Sequence, residues 1–367
     1  MLPEPEPEAR AASDALLRRI RGELAAAGNW ISFARYMELA LYEPGLGYYA
    51  GGSVKLGATG DFATAPEMGA LYARTLARQV AQLLQPGESI LEFGAGSGAL
   101  AAALIAELAP ESYLILETSA ELRARQEARV GARARWLQRL PEKFRGVMLA
   151  SEVADAMPVH AVAWRAGGIF ERGVSEAQGR LAWAERPATG ELLAAARKLQ
   201  VPVPYESEIG LVGRAWMKLV AARLERGAIF VVDYGFPARE FYHPQRASGT
   251  LMCHYRHRAH GDPFFHPGLQ DITAHVDFSA LARAAREGGL EVLGYANQAQ
   301  FLVNCGITEV LEREDASDAM RYAPRAAEAQ KLLSPAEMGE LFKVLALGRG
   351  VGEPLLGFAQ GDRSHTL

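Results

Sequence analysis

Three glycines in the segment Ile90–Leu100 have the spacing of a ligand-binding turn. The segment reads ILEFGAGSGAL, so an apolar run leads directly into Gly94, Gly96 and Gly98, and an alanine-rich helix pattern follows. Glycines let the backbone turn tightly and let a ligand lie against the N–H groups of a helix N-terminus. Because this spacing also fits the dinucleotide fingerprint, the turn alone does not separate S-adenosylmethionine (SAM) from NAD, and a turn without ligand is the structural alternative.

Two acidic residues near this turn bear on the choice of ligand. Glu92 lies two residues before Gly94, where a carboxylate attracts an ammonium group and repels a pyrophosphate. Glu117 ends the next predicted strand and is followed by Thr118; a carboxylate there accepts hydrogen bonds from the ribose hydroxyls of either ligand. Glu92 therefore favours SAM, and we expect Glu92, Glu117 and Thr118 to bind it together with the three glycines.

A second group of polar side chains follows two later predicted strands. Glu152 and Asp155 come after the buried run Val147–Ser151, and Asp233 and Tyr234 follow another apolar run. Ligands of open α/β sheets bind outside the carboxyl ends of the strands, where carboxylates can grip a cation and accept a proton. We predict that Glu152 is the main catalytic carboxylate, that Asp155 assists it or caps the next turn, that Asp233 is also catalytic, and that Tyr234 faces the substrate or packs at the strand end.

The segment Cys253–His266 is dense in histidine. His254, His257 and His260 share a three-residue spacing that could be read as metal ligation, but Pro263 interrupts a helix and no cysteine or carboxylate set completes a tetrahedral site. We therefore expect no bound metal.

A polar stretch follows at Asp271–Asp277. We expect this stretch to cap the next helix, with His275 on the substrate side.

Short apolar runs alternate with helical patterns through the middle of the chain. Strands are predicted at 89–93, 113–117, 135–137, 147–151 and 228–232, and a strand at 290–295 is predicted to complete the sheet. Continuous apolar strands between helices indicate a parallel sheet covered on both faces. The predicted fold class is α/β, with a Rossmann-like sheet, an N-terminal helical segment and an inserted subdomain.

The chain is predicted to divide into four parts. Residues 1–86 form an N-terminal helical and lid segment that begins with ten disordered residues, and 87–158 form the first half of the ligand-binding α/β domain. Residues 159–205 form an inserted subdomain, because this connection is longer than a usual loop. Residues 206–367 form the second half, which starts with a helix at 208–225 and includes an irregular substrate-side loop at 236–277.

Composition excludes several classes of protein. The 367 residues are 49% hydrophobic and 22% charged, which is typical of a globular protein, and the net charge of -4 provides no overall attraction to nucleic acid. We find neither an apolar run of about 18 residues nor the pattern of a secretion signal, so no membrane span is expected. With only two cysteines, Cys253 and Cys305, the expected location is the cytoplasm.

Six strings occur in order along the chain: GDFATAPE (60–67), LEFGAGSG, LETSAELRARQ (116–126), ASEVADAMPVH (150–160), VVDYG (231–235) and DITAHVDF (271–278). Together they resemble the MidA family of class I methyltransferases, which includes a mitochondrial protein-arginine methyltransferase needed for complex I assembly. The resemblance extends from about residue 30 to residue 348. It implies a class I methyltransferase sheet, SAM as cofactor, and a lid over the cofactor formed by Gly60, Asp61 and Thr64.

The resemblance also implies the acceptor. It suggests a protein substrate, such as a subunit of a complex I-type enzyme, that is methylated on arginine, and it makes the histidine-rich segment a substrate-facing loop. An arginine guanidinium has a pKa above about 12, so its charged form is a poor nucleophile. Glu152 and Asp155 could orient the guanidinium and accept its proton. The alternatives are methyl transfer to another acceptor, an NAD-linked oxidoreductase, and an assembly chaperone that binds SAM without transferring its methyl group.

Overall fold

The computed structural model describes residues 2–51, 65–313, 318–352 and 354–367. Its strands are β1 (Ile31–Ser32), β2 (Ser89–Phe93), β3 (Ser112–Leu116), β4 (Arg135–Leu137), β5 (Phe144–Ser151), β6 (His160–Arg165), β7 (Gly168–Ala177), β8 (Arg180–Pro187), β9 (Tyr205–Ile209), β10 (Leu224–Phe236), β11 (Met252–Tyr255), β12 (Arg258–His260), β13 (Asp271–Thr273), β14 (Val276–Asp277), β15 (Glu291–Asn297) and β16 (Phe342–Arg349). Its α-helices are α1 (Pro7–Ala26), α2 (Phe33–Tyr42), α3 (Ala65–Met68), α4 (Ala70–Leu83), α5 (Ala99–Leu108), α6 (Ala120–Val130), α7 (Gly190–Ala196), α8 (Leu211–Arg223), α9 (Ala238–Phe241), α10 (Phe278–Glu287), α11 (Gln298–Asn304), α12 (Ile307–Glu312) and α13 (Ala319–Leu333).

The central sheet has the strand order β4-β3-β2-β5-β10-β16-β15, and β14 pairs with the end of β10. Within this sheet, the five strands β4, β3, β2, β5 and β10 are parallel to one another, whereas β16 is antiparallel to both of its neighbours. The strand predicted at 290–295 is confirmed as β15, at the edge of the sheet, but it does not complete the sheet by pairing with β10, because the unpredicted strand β16 lies between them. The run FKVLALGR is buried on both faces, so it shows no alternation that would mark it as a strand.

The two faces of the central sheet are covered by different helices. In β10, Ala228, Phe230 and Val232 pack into a core with α4, α5, α11 and α12. The intervening Ile229 and Val231 pack on the other face against α8 and α10. This alternation explains the continuous apolar character of the strand, since both faces are buried. The carboxyl ends of the parallel strands all meet at one edge of the sheet.

Two smaller sheets and the N-terminal helices stand beside that edge. One antiparallel sheet has the order β1-β7-β6-β9 with β8 paired to β7, and the other has the order β12-β11-β13. Helices α1 and α2 share a core with both, in which Leu16 and Phe33 join Val174 and Ile272. This packing brings the end of α2 and strand β13 to the same edge as the central strands.

Several boundaries differ from the predictions. Helix α1 already begins at Pro7, although the first ten residues were expected to be disordered. Strand β9 occupies Tyr205–Ile209, so the helix predicted from 208 begins only at Leu211. The 236–277 loop contains α9 and strands β11 to β14, and these short elements depend on long-range pairing that sequence periodicity does not show. In the ranges that the structure describes, no helix is both long and apolar enough to cross a membrane.

Candidate active site

A cavity of about 460 Å³ opens at the carboxyl edge of β2, β3, β5 and β10. Its walls come from the turns that follow these strands, from the end of α2 with the turn after it, and from β13. Six acidic side chains line it, and no Lys, Arg or His does so among the described residues; the acids are Glu67, Glu92, Glu117, Glu152, Asp155 and Asp271. Such a surface attracts cationic ligands.

The glycine turn forms one wall of this cavity. Gly94 and Gly96 line it, with φ of 58° and 53°, a region that residues with a Cβ atom rarely adopt. A Cβ atom on Gly94 would lie 3.3 Å from Cγ2 of Val153. Gly98 does not line the cavity; it begins α5, and a Cβ atom there would lie 3.3 Å from Cα of Gln126. The close packing of α5 against α6 therefore requires a glycine at position 98, and the ligand contact predicted for Gly98 stays a prediction.

Glu117 and the glycine turn are joined by a buried glutamine. The amide nitrogen of Gln126 donates to Oε2 of Glu117 and to the carbonyl oxygen of Gly96, both at 2.9 Å. Its amide oxygen accepts from Nε1 of Trp136 at 2.9 Å, and the backbone N–H of Ser119 donates to Glu117. The carboxylate therefore faces the cavity in a fixed orientation. Thr118 also lines the cavity, and the cofactor contact predicted for it stays a prediction.

Glu92 lies at the base of the cavity. The residue is 4% exposed, and its Oε2 accepts a hydrogen bond from the Tyr113 hydroxyl at 2.6 Å. Burial raises the pKa of Glu92 to about 7, because it disfavours the charged form. A cationic group bound beside Glu92 would restore its charge, which fits the ammonium of a methionine moiety.

These residues fit SAM. Glycines at positive φ keep one wall open for a ligand, Glu117 offers a carboxylate to a ribose diol, and Glu92 offers one to an ammonium. Gly60, Asp61 and Thr64, the predicted lid, lie outside the described residues. Glu67, which follows that segment, lines the cavity and accepts a hydrogen bond from the Ser97 hydroxyl in the glycine turn; the sequence did not suggest this contact.

Glu152 stands at the end of β5 in an unusual backbone conformation. Its φ is 53°, and its N–H donates to the carbonyl oxygen of Val232 at 2.9 Å. Non-glycine residues in this region are strained and often functional. Burial, and after it the nearby Asp155 carboxylate, raises the pKa of Glu152 to about 8. Glu152 lines the cavity and is suited to hold a proton near neutral pH.

Asp155 and Tyr234 form a hydrogen-bonded pair on the same wall. The Tyr234 hydroxyl donates to Oδ2 of Asp155, and the N–H of Ala156 donates to Oδ1 at 2.8 Å. Burial raises the pKa of Asp155 to about 6, and the bond from Tyr234 opposes this shift. Both residues line the cavity. Asp155 thus also bonds within its own turn, which was the alternative role predicted for it.

Asp233 is placed behind the cavity wall. Its Oδ2 accepts from the N–H groups of Ala154 and Asp155 at 2.9 and 3.2 Å, and its Oδ1 accepts from the N–H of Tyr234 at 2.9 Å. The side chain is fully buried and is not among the residues that line the cavity. This corrects the catalytic role that we predicted: Asp233 is a positioning residue that anchors the turn after β5.

His275 also lies outside the cavity. Its ring packs edge-on against Tyr234 and tilted against Phe236, with centroids 5.5 and 5.2 Å apart. Burial, together with the charges of Arg246 and Lys343, lowers the pKa of His275 to about 4, so the ring is neutral. The substrate contact predicted for His275 is therefore corrected to a packing contact behind Tyr234. Asp277 caps α10 as predicted, because its Oδ1 accepts from the N–H of Ala280.

Three further polar residues that line the cavity, Tyr42, Tyr49 and Asp271, were not predicted to do so. Tyr42 and Tyr49 stack with centroids 5.6 Å apart, and the Tyr42 hydroxyl donates to the carbonyl oxygen of Ala156 at 2.9 Å. The Tyr49 hydroxyl donates to both carboxylate oxygens of Asp271 at 3.0 Å. The only sequence signal was the aromatic pair in GLGYYAGG and the string DITAHVDF, which lie more than 200 residues apart.

The histidine-rich segment 253–266 contains a β-hairpin. Residues 252–255 and 258–260 form the hairpin of β11 and β12, so His254 and His260 lie on its two strands and His257 lies in the turn between them. Through the described part of the chain, no group of three or more His, Cys, Asp and Glu side chains could hold a metal ion.

The sheet order, with one antiparallel strand inserted next to the last, and the glycine turn after its central strand define a class I methyltransferase. A family model for S-adenosyl-L-methionine-dependent methyltransferases matches residues 71–296, and the chain belongs to this MidA-type family. SAM is its cofactor.

The chain is similar to known proteins over most or all of its length. The chain is 52% identical to a protein from Burkholderia thailandensis whose crystal structure holds S-adenosyl-homocysteine, with a TM-score of 0.96 and 100% of both chains covered. It is 27% identical to the mitochondrial protein arginine methyltransferase NDUFAF7 homolog of Drosophila melanogaster, over 95% of this chain and 88% of the relative. It is 25% identical to human NDUFAF7, over 90% and 83%.

Replacing Gln126 by leucine should weaken SAM binding by about 10- to 100-fold, since a lost hydrogen bond to a charged group and two unsatisfied partners are involved. Calorimetric titration with SAM would measure this. Gln138→Leu, an exposed glutamine after β4, is the matched control and should bind like the wild type. Unchanged affinity in Gln126→Leu would show that the network does not position Glu117.

Proposed function

We propose that the protein is a SAM-dependent protein-arginine N-methyltransferase that acts on a partner protein. One observation carries the proposal: beyond the cofactor-binding residues, the cavity is lined by the carboxylates Glu152, Asp155 and Asp271 and by tyrosine rings. Planar carboxylates match the hydrogen-bond geometry of a guanidinium, and aromatic rings stack on its face. Two relatives that are named as protein arginine methyltransferases, at 27% and 25% identity, support the same acceptor.

The acceptor is oriented by the residues after β5. Glu152 accepts N–H bonds from the guanidinium and directs one nitrogen towards the cofactor end of the cavity, while Asp155 balances the positive charge. Asp233 keeps both residues in place, because its carboxylate holds the backbone N–H groups of Ala154 and Asp155. Alignment of the reacting groups and exclusion of water supply most of the rate gain in such a displacement.

Glu152 accepts the proton that the guanidinium loses during methyl transfer. Bound SAM supplies an electrophilic methyl group on its sulfonium. As the guanidinium nitrogen forms its bond to that methyl group, its N–H proton passes to the Glu152 carboxylate, and the carbon–sulfur electron pair remains on sulfur. The raised pKa of Glu152, about 8, suits a group that must accept a proton and later release it to solvent.

Labelled SAM tests the proposal. The purified full chain would be incubated with a lysate and methyl-labelled SAM, and labelled proteins would be hydrolysed for amino-acid analysis. Methylarginine as the labelled product is expected, and a subunit of a complex I-type enzyme is the first purified acceptor to try. Label on another residue or a small molecule would overturn the arginine acceptor. SAM binding with no labelled product would favour the assembly chaperone instead.

Activity should rise with pH. Glu152 must be deprotonated to accept the proton, and since its pKa is raised to about 8, its base form is lost as the pH falls below that value. Asp155, with a pKa of about 6, is already charged in that range. We therefore expect kcat/KM to increase through pH 8 and to level off above it. A rate profile between pH 6 and pH 9.5 would show this, whereas a flat profile would contradict a base with this pKa.

A further inference from the structure

A carboxylate that was not predicted to be catalytic lines the cavity near Glu152, at the end proposed to receive the methyl acceptor, which is called the acceptor end below. Asp271 lies on β13, is 3% exposed and lines the cavity. It is close enough to Glu152 that its charge contributes to the raised pKa of Glu152, although burial and Asp155 contribute more. Two carboxylates supplied by different parts of the fold therefore face one small space.

Asp271 is held in a defined orientation by the N-terminal segment. The Tyr49 hydroxyl donates to both of its carboxylate oxygens at 3.0 Å. Tyr49 in turn stacks on Tyr42, whose hydroxyl is bonded to the carbonyl oxygen of Ala156 in the turn after β5. The ring of Tyr49 is thereby braced against the same turn that carries Glu152.

Strand β13 is tied to that turn as well. The N–H of Ala274, directly after β13, donates to the carbonyl oxygen of Asp155 at 3.0 Å. The elements that carry Asp271 and Glu152 are therefore connected in two independent ways, one through the stacked tyrosines and their hydrogen bonds and one through the backbone bond of Ala274. This arrangement fixes the distance between the two carboxylates. A site that distinguishes ligands by their shape requires such a fixed geometry.

We propose that Asp271, held by Tyr49, selects a planar guanidinium over an ammonium at the acceptor end of the cavity. The inference rests on the proposed arginine acceptor and adds the residue that enforces it. A guanidinium presents five N–H donors in one plane and can bond Glu152 with one edge and Asp271 with another. The three N–H donors of an ammonium diverge from a single nitrogen, so it gains less from a second carboxylate in that plane.

The test compares two probes with the same alkyl chain, n-butylguanidinium and n-butylammonium. Their binding to the full chain saturated with S-adenosyl-homocysteine would be measured by calorimetry. The wild type should prefer the guanidinium. Asp271→Asn should lower guanidinium affinity by about 10- to 100-fold and ammonium affinity much less, because a charge-assisted hydrogen bond is lost. Affinity for S-adenosyl-homocysteine should stay unchanged.

Two further variants keep the test decisive. Tyr49→Phe retains Asp271 and removes only the bond that orients it, so the preference should fall by about 3- to 10-fold; it decides the matter if Asp271→Asn does not fold. Glu38→Gln removes one exposed carboxylate from α2 and should leave the preference unchanged. An unaltered preference in Asp271→Asn and Tyr49→Phe would overturn the inference, as would a wild type without preference. Labelled methylarginine alongside either result would show that the proposed function stands without it.

Discussion

Glu152→Gln should lower kcat for methyl transfer by about 100- to 10,000-fold, the usual contribution of a general base. The amide has nearly the same shape as the carboxylate, so the turn after β5 and its backbone bond to Val232 should persist. The amide cannot accept the proton that the proposed guanidinium acceptor loses, and it lacks the negative charge that would bind this guanidinium. Cofactor affinity should stay within about twofold, because the cofactor is bound by the glycine turn and Glu117.

Single-turnover rates with labelled SAM and a SAM titration would test this prediction. Glu127→Gln on the exposed face of α6 removes a carboxylate far from the acceptor end and is the matched control. The pH dependence of the residual activity adds an independent check, since the rise through pH 8 should disappear in Glu152→Gln. Loss of SAM binding together with activity would show that Glu152 serves the cofactor, and full activity would show that another group accepts the proton.

Gly96→Val should have the opposite profile and weaken SAM binding by about 10- to 100-fold. Gly96 lines the cavity with φ of 53°, so a valine there meets two penalties: a strained backbone and branched methyl groups at the wall. Overpacking at the wall costs about 1–3 kcal/mol, and every 1.4 kcal/mol changes SAM affinity about tenfold. The backbone strain, also about 1–3 kcal/mol, is present with and without SAM and therefore lowers stability instead. Calorimetry with SAM and thermal unfolding without it would separate the two.

Gly87→Val provides the control for this experiment. Gly87 has φ of 80° in the turn before β2, and a Cβ atom there meets nothing within 4 Å. It introduces comparable backbone strain away from the cavity, so stability should fall in both variants and SAM affinity only in Gly96→Val. Equal loss of affinity in the two variants would assign the effect to strain in the sheet, not to the cavity wall.

The parts of the site that follow a strand directly were predictable from sequence. Gly94, Gly96 and Glu117 line the cavity because the carboxyl end of a buried strand in a parallel sheet opens onto the ligand edge. Glu152 and Asp155 could be placed there by the same local rule. A strand that is buried on both faces leaves a continuous apolar run in the sequence, and the residue after that run is found by counting.

Roles that depend on which backbone groups approach a side chain were not predictable. Asp233 follows an apolar run as Glu152 does, yet its carboxylate accepts hydrogen bonds from three backbone N–H groups, two of them from the turn after β5. His275 is polar in sequence but lies behind Tyr234. Position along a strand decides the edge that a residue reaches; the packing of the next strand decides whether it faces the ligand.

The sequence alone thus determined the glycine turn and the position of Glu152 directly after β5. It also determined the α/β class and the cofactor that these residues suit. Only the tertiary structure showed that Tyr49 and Asp271, more than 200 residues apart in the chain, are in contact in the cavity wall. It also decided the position of β16 in the sheet. The physical reason is the same in both cases: periodicity reports only neighbours along the chain, whereas these contacts form when separate elements bury their apolar faces against one another.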